Sequence, residues 1–328
     1  MKKNYPVISG TFLQPGFFND YDDKKWDTHL KYLKEVGIDK VIIQWSANTP
    51  NLKFTYTAYP SILASENKLA EFQYGGEYVV EGCLKAAQTN GMKVFVGLNE
   101  APEWWSKYAY DEKWNTSQAL LGNKIAKEIY DLYKSKYPEA FYGWYYVWEM
   151  FNSMNGCEKA CADMMNVNLD FLTELDPSMP LMLSPFVRAA EGDAVSAGLE
   201  WDRLFSMTNF RKGDIYCSQD AVGAGWMKID LLDDYFREIT KAIDKKDGLL
   251  FWANNENFTD TDIVPDSPKT GTRFIPAPLD RFVRQMEISD KYVSDHVTFA
   301  YSHYYSPDRC DPKLHEAYKQ YFETGKTE

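Results

Sequence analysis

Four carboxylates each close a short run of apolar and aromatic residues: Glu100 after VFVGLN, Glu149 after YYVW, Asp220 after IYCSQ and Glu256 after FWANN. An acid at the end of such a run is expensive to bury unless it is paired or used. Two carboxyls facing each other across a pocket can cleave a glycosidic bond. One, kept protonated by burial and like charge, donates to the leaving oxygen; the other attacks the anomeric carbon or activates water. The plainer alternative is a set of solvated loop acids with salt-bridge partners. The neighbouring side chains favour a ligand. Gln44, Asn99, Glu100, Gln219, Asn254, His303 and Tyr304 could hydrogen-bond sugar hydroxyls, and Trp45, Trp104, Trp105, Trp148, Trp226, Trp252, Tyr304 and Tyr305 offer flat faces for a sugar ring. Two adjacent indoles, Trp104 and Trp105, in a polar loop are the sharpest of these, because both are not expected in a core.

Other chemistries fit less well. There are only four histidines, His29, His296, His303 and His315, and no HExxH. Cys157 and Cys161 would share a helix face, but two further zinc ligands are missing nearby, so packing cysteines are the better reading. Gly223-Ala224-Gly225 lacks the third glycine of a dinucleotide fingerprint, and there is no GxSxG elbow and no P-loop. No cofactor and no metal is expected. Two rivals stand beside a carbohydrate-cleaving enzyme: a carbohydrate-binding barrel without catalysis, and a metal-assisted hydrolase or lyase using Asp220, Glu256 and His303.

Eight segments read as strands, starting at Val7, Lys40, Lys93, Phe141, Pro180, Asp214, Gly248 and Val297, with 33 to 53 residues between starts. Each gap is long enough for a helical crossover. Helical stripes occur at Trp26, Leu30, Leu33 and Val36 before Gly37, and at Val79, Val80, Cys83, Leu84 and Ala87 before Gly91. Further stripes run through Ile125, Ile129 and Tyr133, through Leu232, Phe236, Ile239 and Ile243, through Phe282, Val283 and Met286, and through Leu314, Tyr318 and Tyr321. Strands alternating with helices imply parallel pairing. Eight such units predict a single (β/α)8 TIM barrel over residues 1–328, with an open α/β sheet as runner-up. The long segments Ser46–Gly75, Glu100–Thr116 and Asn257–Pro278 follow strands two, three and seven, on the side where barrel enzymes build their sites.

Composition narrows the partners. The net charge of −12 disfavours a phosphate backbone, so no nucleic acid is expected. No run of ~18 apolar residues spans a membrane, and 45% hydrophobic residues suffice for a large core. Five scattered cysteines and an N-terminus without a long apolar run read as a cytoplasmic protein. The expected partner is a carbohydrate, an oligosaccharide or glycoside.

The segments ISGTFLQ, GIDKVIIQWS, GMKVFVGLNEAPEWW, FYGWYYVWEM, SQDAVGAGW and FWANNENF resemble the bacterial barrel family known as domain of unknown function 4434. That resemblance covers nearly the whole chain and implies a TIM barrel of the glycosidase superfamily. A more distant similarity to the retaining clan A glycoside hydrolases implies Glu149 as acid/base and Glu256 as nucleophile; Asp220, from its own strand-end position, stands in reserve as a base or tuning partner. One departure is that Trp148 stands where those enzymes usually carry Asn.

Overall fold

The computed structural model describes residues 3–107, 111–264 and 272–327. Eight parallel strands close into a barrel: β1 Gly10–Leu13, β2 Lys40–Ile43, β3 Lys93–Gly97, β4 Phe141–Tyr146, β5 Leu181–Leu183, β6 Ile215–Gln219, β7 Leu250–Glu256 and β8 Asp295–Phe299. Each pairs with its neighbour in sequence, and β8 returns to β1. Seven lie within the segments expected from the sequence, and β8 overlaps its segment but starts at Asp295 instead of Val297. The (β/α)8 barrel is therefore the fold, and the open sheet is removed.

Rings from non-adjacent strands meet on the barrel axis. Phe12 of β1 lies 5.1 Å from Tyr145 of β4, and Phe95 of β3 lies 6.3 Å from Trp252 of β7. The barrel interior is therefore a packed core that closes the floor beneath anything bound at the strand ends. Trp252 belongs to this packing and not to a binding surface, and Tyr305 is also fully buried.

Eight longer helices form the outer ring: α1 Asp23–Glu35, α2 Val79–Asn90, α3 Glu112–Tyr133, α4 Glu158–Leu175, α5 Ala194–Met207, α6 Leu232–Ile243, α7 Leu279–Ser289 and α8 Pro312–Thr324. Aspartate side chains cap the N-termini of α1, α3, α5 and α8, through Asp22, Asp111, Asp193 and Asp311. Gly91, at φ 65°, ends α2 in the left-handed conformation that glycine adopts at least cost. Six of these helices follow the apolar stripes of the sequence. α4 and α5 were not anticipated, although each carries an apolar stripe, Cys161, Met165, Leu169 and Leu172 on α4 and Ala197, Trp201, Leu204 and Phe205 on α5, with polar or small residues set among them. Asn168 is buried on α4, and a Cβ on Gly198 of α5 would lie 2.9 Å from the Glu238 carbonyl of α6. Cys83, Cys161 and Cys217 are buried packing residues.

The strand-to-helix segments carry small sheets of their own. Ala47–Asn48, Phe54–Thr57 and Lys68–Gln73 join Asn99–Glu100 in a four-stranded sheet that ties the loop after β2 to the loop after β3. After β7, Phe258–Asp260 pairs antiparallel with Phe274–Pro276. Residues 108–110 and 265–271 of these long loops lie outside the described residues. Among the described residues no helix is long and apolar enough to cross a membrane.

Candidate active site

A cavity of about 540 Å³ opens at the C-terminal ends of the strands. Its polar floor is made by Gln44, Glu149, Gln219 and Glu256, and its walls by Trp105, Phe151, Phe186, Trp226, Phe258 and Phe299, with Arg188 and Ala224 completing the lining. Glu149 comes from the loop after β4 and Glu256 ends β7, so two strands separated by β5 and β6 deliver two carboxyls to one space.

Glu149 is held from two directions. Its backbone carbonyl accepts a 2.7 Å hydrogen bond from Trp104 Nε1, and its Oε1 accepts from Gln219 Nε2 at 3.0 Å. Gln219 is itself fixed by donating to the Ser184 carbonyl at 2.6 Å. Burial pushes the Glu149 carboxyl up to about 7, with the Gln219 donor partly offsetting that rise. Glu100 stands close by; burial first, and then the charge of Glu149, raise it to about 7 as well.

Glu256 is cradled by the loop after β6. Ala224 N donates to its Oε2 at 2.7 Å. A Cβ on Gly223 would lie 2.3 Å from the Phe258 carbonyl and 3.0 Å from Glu256 Oε2, so only glycine lets this loop close on the carboxylate. Ala221 adopts a positive φ of 55° to start the turn. The GAG triplet of the sequence is thus a carboxylate cradle.

Behind Glu256 lies Asp220, fully buried and outside the cavity. It accepts from Gln285 Nε2 at 2.6 Å, Asn255 Nδ2 at 3.0 Å, and the backbone N–H groups of Val222 and Glu256. Burial raises Asp220; those donors and the Arg281 charge act against it. Burial and then the Asp220 charge raise Glu256. Arg281, from α7, is the cation facing this pair, and its Nη2 is anchored on the Phe258 carbonyl. His296 continues the network by pairing Nδ1 with Asn255 Oδ1 at 2.9 Å.

Several residues singled out in the sequence lie elsewhere. Trp104 is buried at 3% exposure and Trp148 at 2%; with Trp114 they form an indole cluster that props the Glu149 backbone and does not line this cavity. Asn99 turns outward and donates to Thr49 Oγ1 and Gln118 Oε1, both at 2.9 Å. Asn254 is buried beneath the floor and donates to Ser184 Oγ at 3.0 Å. Trp45 packs against the core. His303 accepts from Gln14 N at 3.0 Å, and burial together with Arg309 and His29 lowers it to about 3. Its ring is engaged on the β1 side, so Asp220, Glu256 and His303 do not converge as a ligand set. Among the described residues no group of three His, Cys, Asp or Glu could hold a metal ion. Tyr304 stacks on Phe258 at 5.6 Å, where burial and then the nearby Glu256 raise its phenol to about 12.

Of the two adjacent indoles, Trp105 alone lines the cavity, and it is 59% exposed. Trp104→Ala should therefore act on stability, with a loss of about 3–5 kcal/mol that a urea midpoint would record. Trp105→Ala should leave that midpoint in place. A midpoint shifted equally by both changes would contradict this division.

Phe151, Phe186, Arg188, Phe258 and Phe299 were not anticipated from the sequence. The signal that could have found them is position, since each follows a barrel strand by a few residues or ends one. Arg281 and Gln285 come from α7, and no sequence feature marks a helix that faces inward onto a strand-end acid.

The structure is thus a closed parallel (β/α)8 barrel whose strand ends bring two carboxyls into an aromatic-walled cavity. The chain belongs to the family described as Domain of unknown function (DUF4434), whose model matches residues 8–311. No curated protein matches it. Among solved structures, it is similar to one described as "a putative alpha-L-fucosidase" from Bacteroides thetaiotaomicron, at 24% identity and a TM-score of 0.76, with 98% of this chain and 97% of that chain covered. It is also similar to the endo-beta-1,4-mannanase from Thermotoga petrophila, at 12% identity and a TM-score of 0.59, covering 99% and 78%. A glycoside hydrolase family 5 structure from Bacteroides vulgatus matches at 14% identity and a TM-score of 0.55, covering 90% and 58%. At these identities the likeness speaks for the fold alone.

Proposed function

We propose that the protein is a glycoside hydrolase that cleaves a carbohydrate with Glu149 and Glu256, with retention of configuration. The observation that carries this reading is the delivery of both carboxyls, from two non-adjacent strands, into one aromatic-walled cavity. Aromatic faces suit the C–H faces of a sugar ring, and Gln44 and Gln219 suit its hydroxyls. The glycosidase-like barrel agrees with this class of reaction.

In the first step Glu256 attacks the anomeric carbon as the bond to the leaving oxygen breaks, and Glu149 gives its proton to that oxygen. In the second, Glu149 takes a proton from water as the water displaces Glu256 from the same carbon. Burial suits Glu149 to this exchange, since a carboxyl raised to about 7 is a better proton donor at neutral pH than an exposed one. The productive form has the proton on Glu149 and the charge on Glu256. Positive charge developing at the anomeric carbon favours that distribution. Cradling by the Ala224 N–H also supports the ionised form of Glu256.

Asp220 acts through Glu256 and not on the sugar. Its charge raises Glu256, so Asp220→Asn should lower the Glu256 pKa and move the acidic limb of the kcat/KM profile towards lower pH. Because Glu256, raised to about 8, lies above Glu149 at about 7, the alkaline limb reports both acids and should move to lower pH as well. Both limbs unmoved, with only a scaled-down rate, would make Asp220 merely structural. Trp105→Ala should weaken substrate binding roughly tenfold, on the scale of one lost stacking contact, read by calorimetry on the Glu256→Gln protein. A screen of glycosides and oligosaccharides, with the first-formed anomer followed by NMR, tests the reaction and its stereochemistry. Formation of the inverted anomer would replace the nucleophile by a water-activating base.

A further inference from the structure

We infer that the cavity takes a negatively charged sugar, one bearing a carboxylate or an ester sulfate, and that Arg188 is the residue selecting it. This rests on the glycosidase reading of the same cavity and names its substrate class.

Arg188 is the only cation among the described residues lining the cavity. It is not there to neutralise the two carboxyls: its one ion pair among the described residues is with Glu191, three residues on, at 3.2 Å, and it pairs with neither Glu149 nor Glu256. Its position is built. The buried Asn152 clamps its backbone with two hydrogen bonds, Arg188 N donating to Asn152 Oδ1 at 2.7 Å and Asn152 Nδ2 donating to the Arg188 carbonyl at 3.1 Å. The guanidinium carbon lies 4.0 Å from the centre of the Trp226 ring and 5.5 Å from that of Phe151. Stacking occupies the faces of a guanidinium and leaves its in-plane N–H donors for a planar or tetrahedral anion. The Nε–H is buried and has no hydrogen-bond partner among the described residues.

The rest of the cavity makes an anion tolerable. Its remaining walls are largely aromatic, and a sugar seated against them would displace water from beside the half-buried Arg188, which strengthens the pairing. Burial raises both Glu149 and Glu256, so near neutral pH the floor carries less negative charge than two ordinary carboxylates. A net charge of −12 over the whole chain would otherwise repel an acidic sugar, which leaves Arg188 as the local feature able to reverse that preference.

The test uses matched 4-nitrophenyl glycosides, gluco- and galacto-configured in both anomers, whose C6 is a hydroxymethyl group, a carboxylate or a 6-O-sulfate. Turnover is measured for the wild-type protein, Arg188→Met and Arg188→Lys, and binding by calorimetry on Glu256→Gln with and without Arg188→Met. The expected result is a preference for one charged member over its neutral counterpart. That preference falls roughly tenfold or more in Arg188→Met, the size of one lost charge-assisted contact, and in part in Arg188→Lys. Which charged member is favoured separates carboxylate from sulfate. A wild-type preference for the neutral member overturns the inference, as does an Arg188→Met loss that is equal for charged and neutral members, or binding of neither charged class. Charged members that bind through Arg188 but are never hydrolysed would leave this inference standing and remove the glycosidase reading.

Discussion

Glu256→Gln should abolish turnover on every substrate, with kcat falling on the order of 10⁴-fold or more. In the proposed reaction its carboxylate forms the bond to the anomeric carbon, and an amide cannot replace it. The change keeps side-chain volume, and the Ala224 N–H that donates to Oε2 can still donate to the amide oxygen. Folding should therefore survive, as circular dichroism and a urea melt would report. Activity retained in Glu256→Gln but lost in Asp220→Asn would move the essential carboxylate to the end of β6, which the enclosure of Asp220 outside the cavity argues against.

Glu149→Gln should separate substrates by their leaving groups. Loss of the donated proton should cost roughly 10²–10⁴-fold where the leaving alcohol is poor and much less in the first step where it is a nitrophenolate. The same change should stabilise the protein in alkali. The folded-state pKa of Glu149 is raised from 4.5 to about 7, so the folded protein holds a proton that the unfolded chain releases. Stability from this group is fully present below the unfolded value and is lost as pH rises through about 7. Above the folded pKa, ionising a carboxyl held this far over its ordinary range costs on the order of 3 kcal/mol. Glutamine removes that penalty. Glu149→Gln should melt higher than wild type at pH ~8.5 and close to it at pH ~4. Equal melting temperatures at both would show that Glu149 is ordinary in its acidity and unsuited to its proposed role.

The barrel was legible because its strands are short runs of β-branched and aromatic residues separated by helical stripes, and KVII, KVFVG and IYCSQ carry that pattern without interruption. The two- and three-residue strands at Ala47–Asn48, Asn99–Glu100 and Phe258–Asp260 were not, since pairs and triplets have no measurable period. At the site the difficulty was parity. Successive side chains of a strand point to opposite faces, so one residue at a strand end meets the cavity while its neighbour meets the surrounding shell. Glu149 faces in and Trp148 packs with Trp104 and Trp114; Gln219 faces in and Asp220 lies behind; Glu256 faces in and Asn255 binds Asp220. The chain marks the strand ends clearly, but which member of each pair turns inward depends on barrel closure. Arg188 and Phe186 follow a strand of only three residues, β5, and become visible as site residues only once the loops fold over the floor.

The most direct test of the account is hydrolysis of a glycoside panel by the wild-type protein, Glu149→Gln, Glu256→Gln and the double variant, each shown to be folded. The account predicts reducing sugar released by wild type, a leaving-group-dependent remnant in Glu149→Gln, and none from Glu256→Gln or the double variant. Glycans bound by all four proteins and hydrolysed by none, or hydrolysis that persists in the double variant, would contradict it.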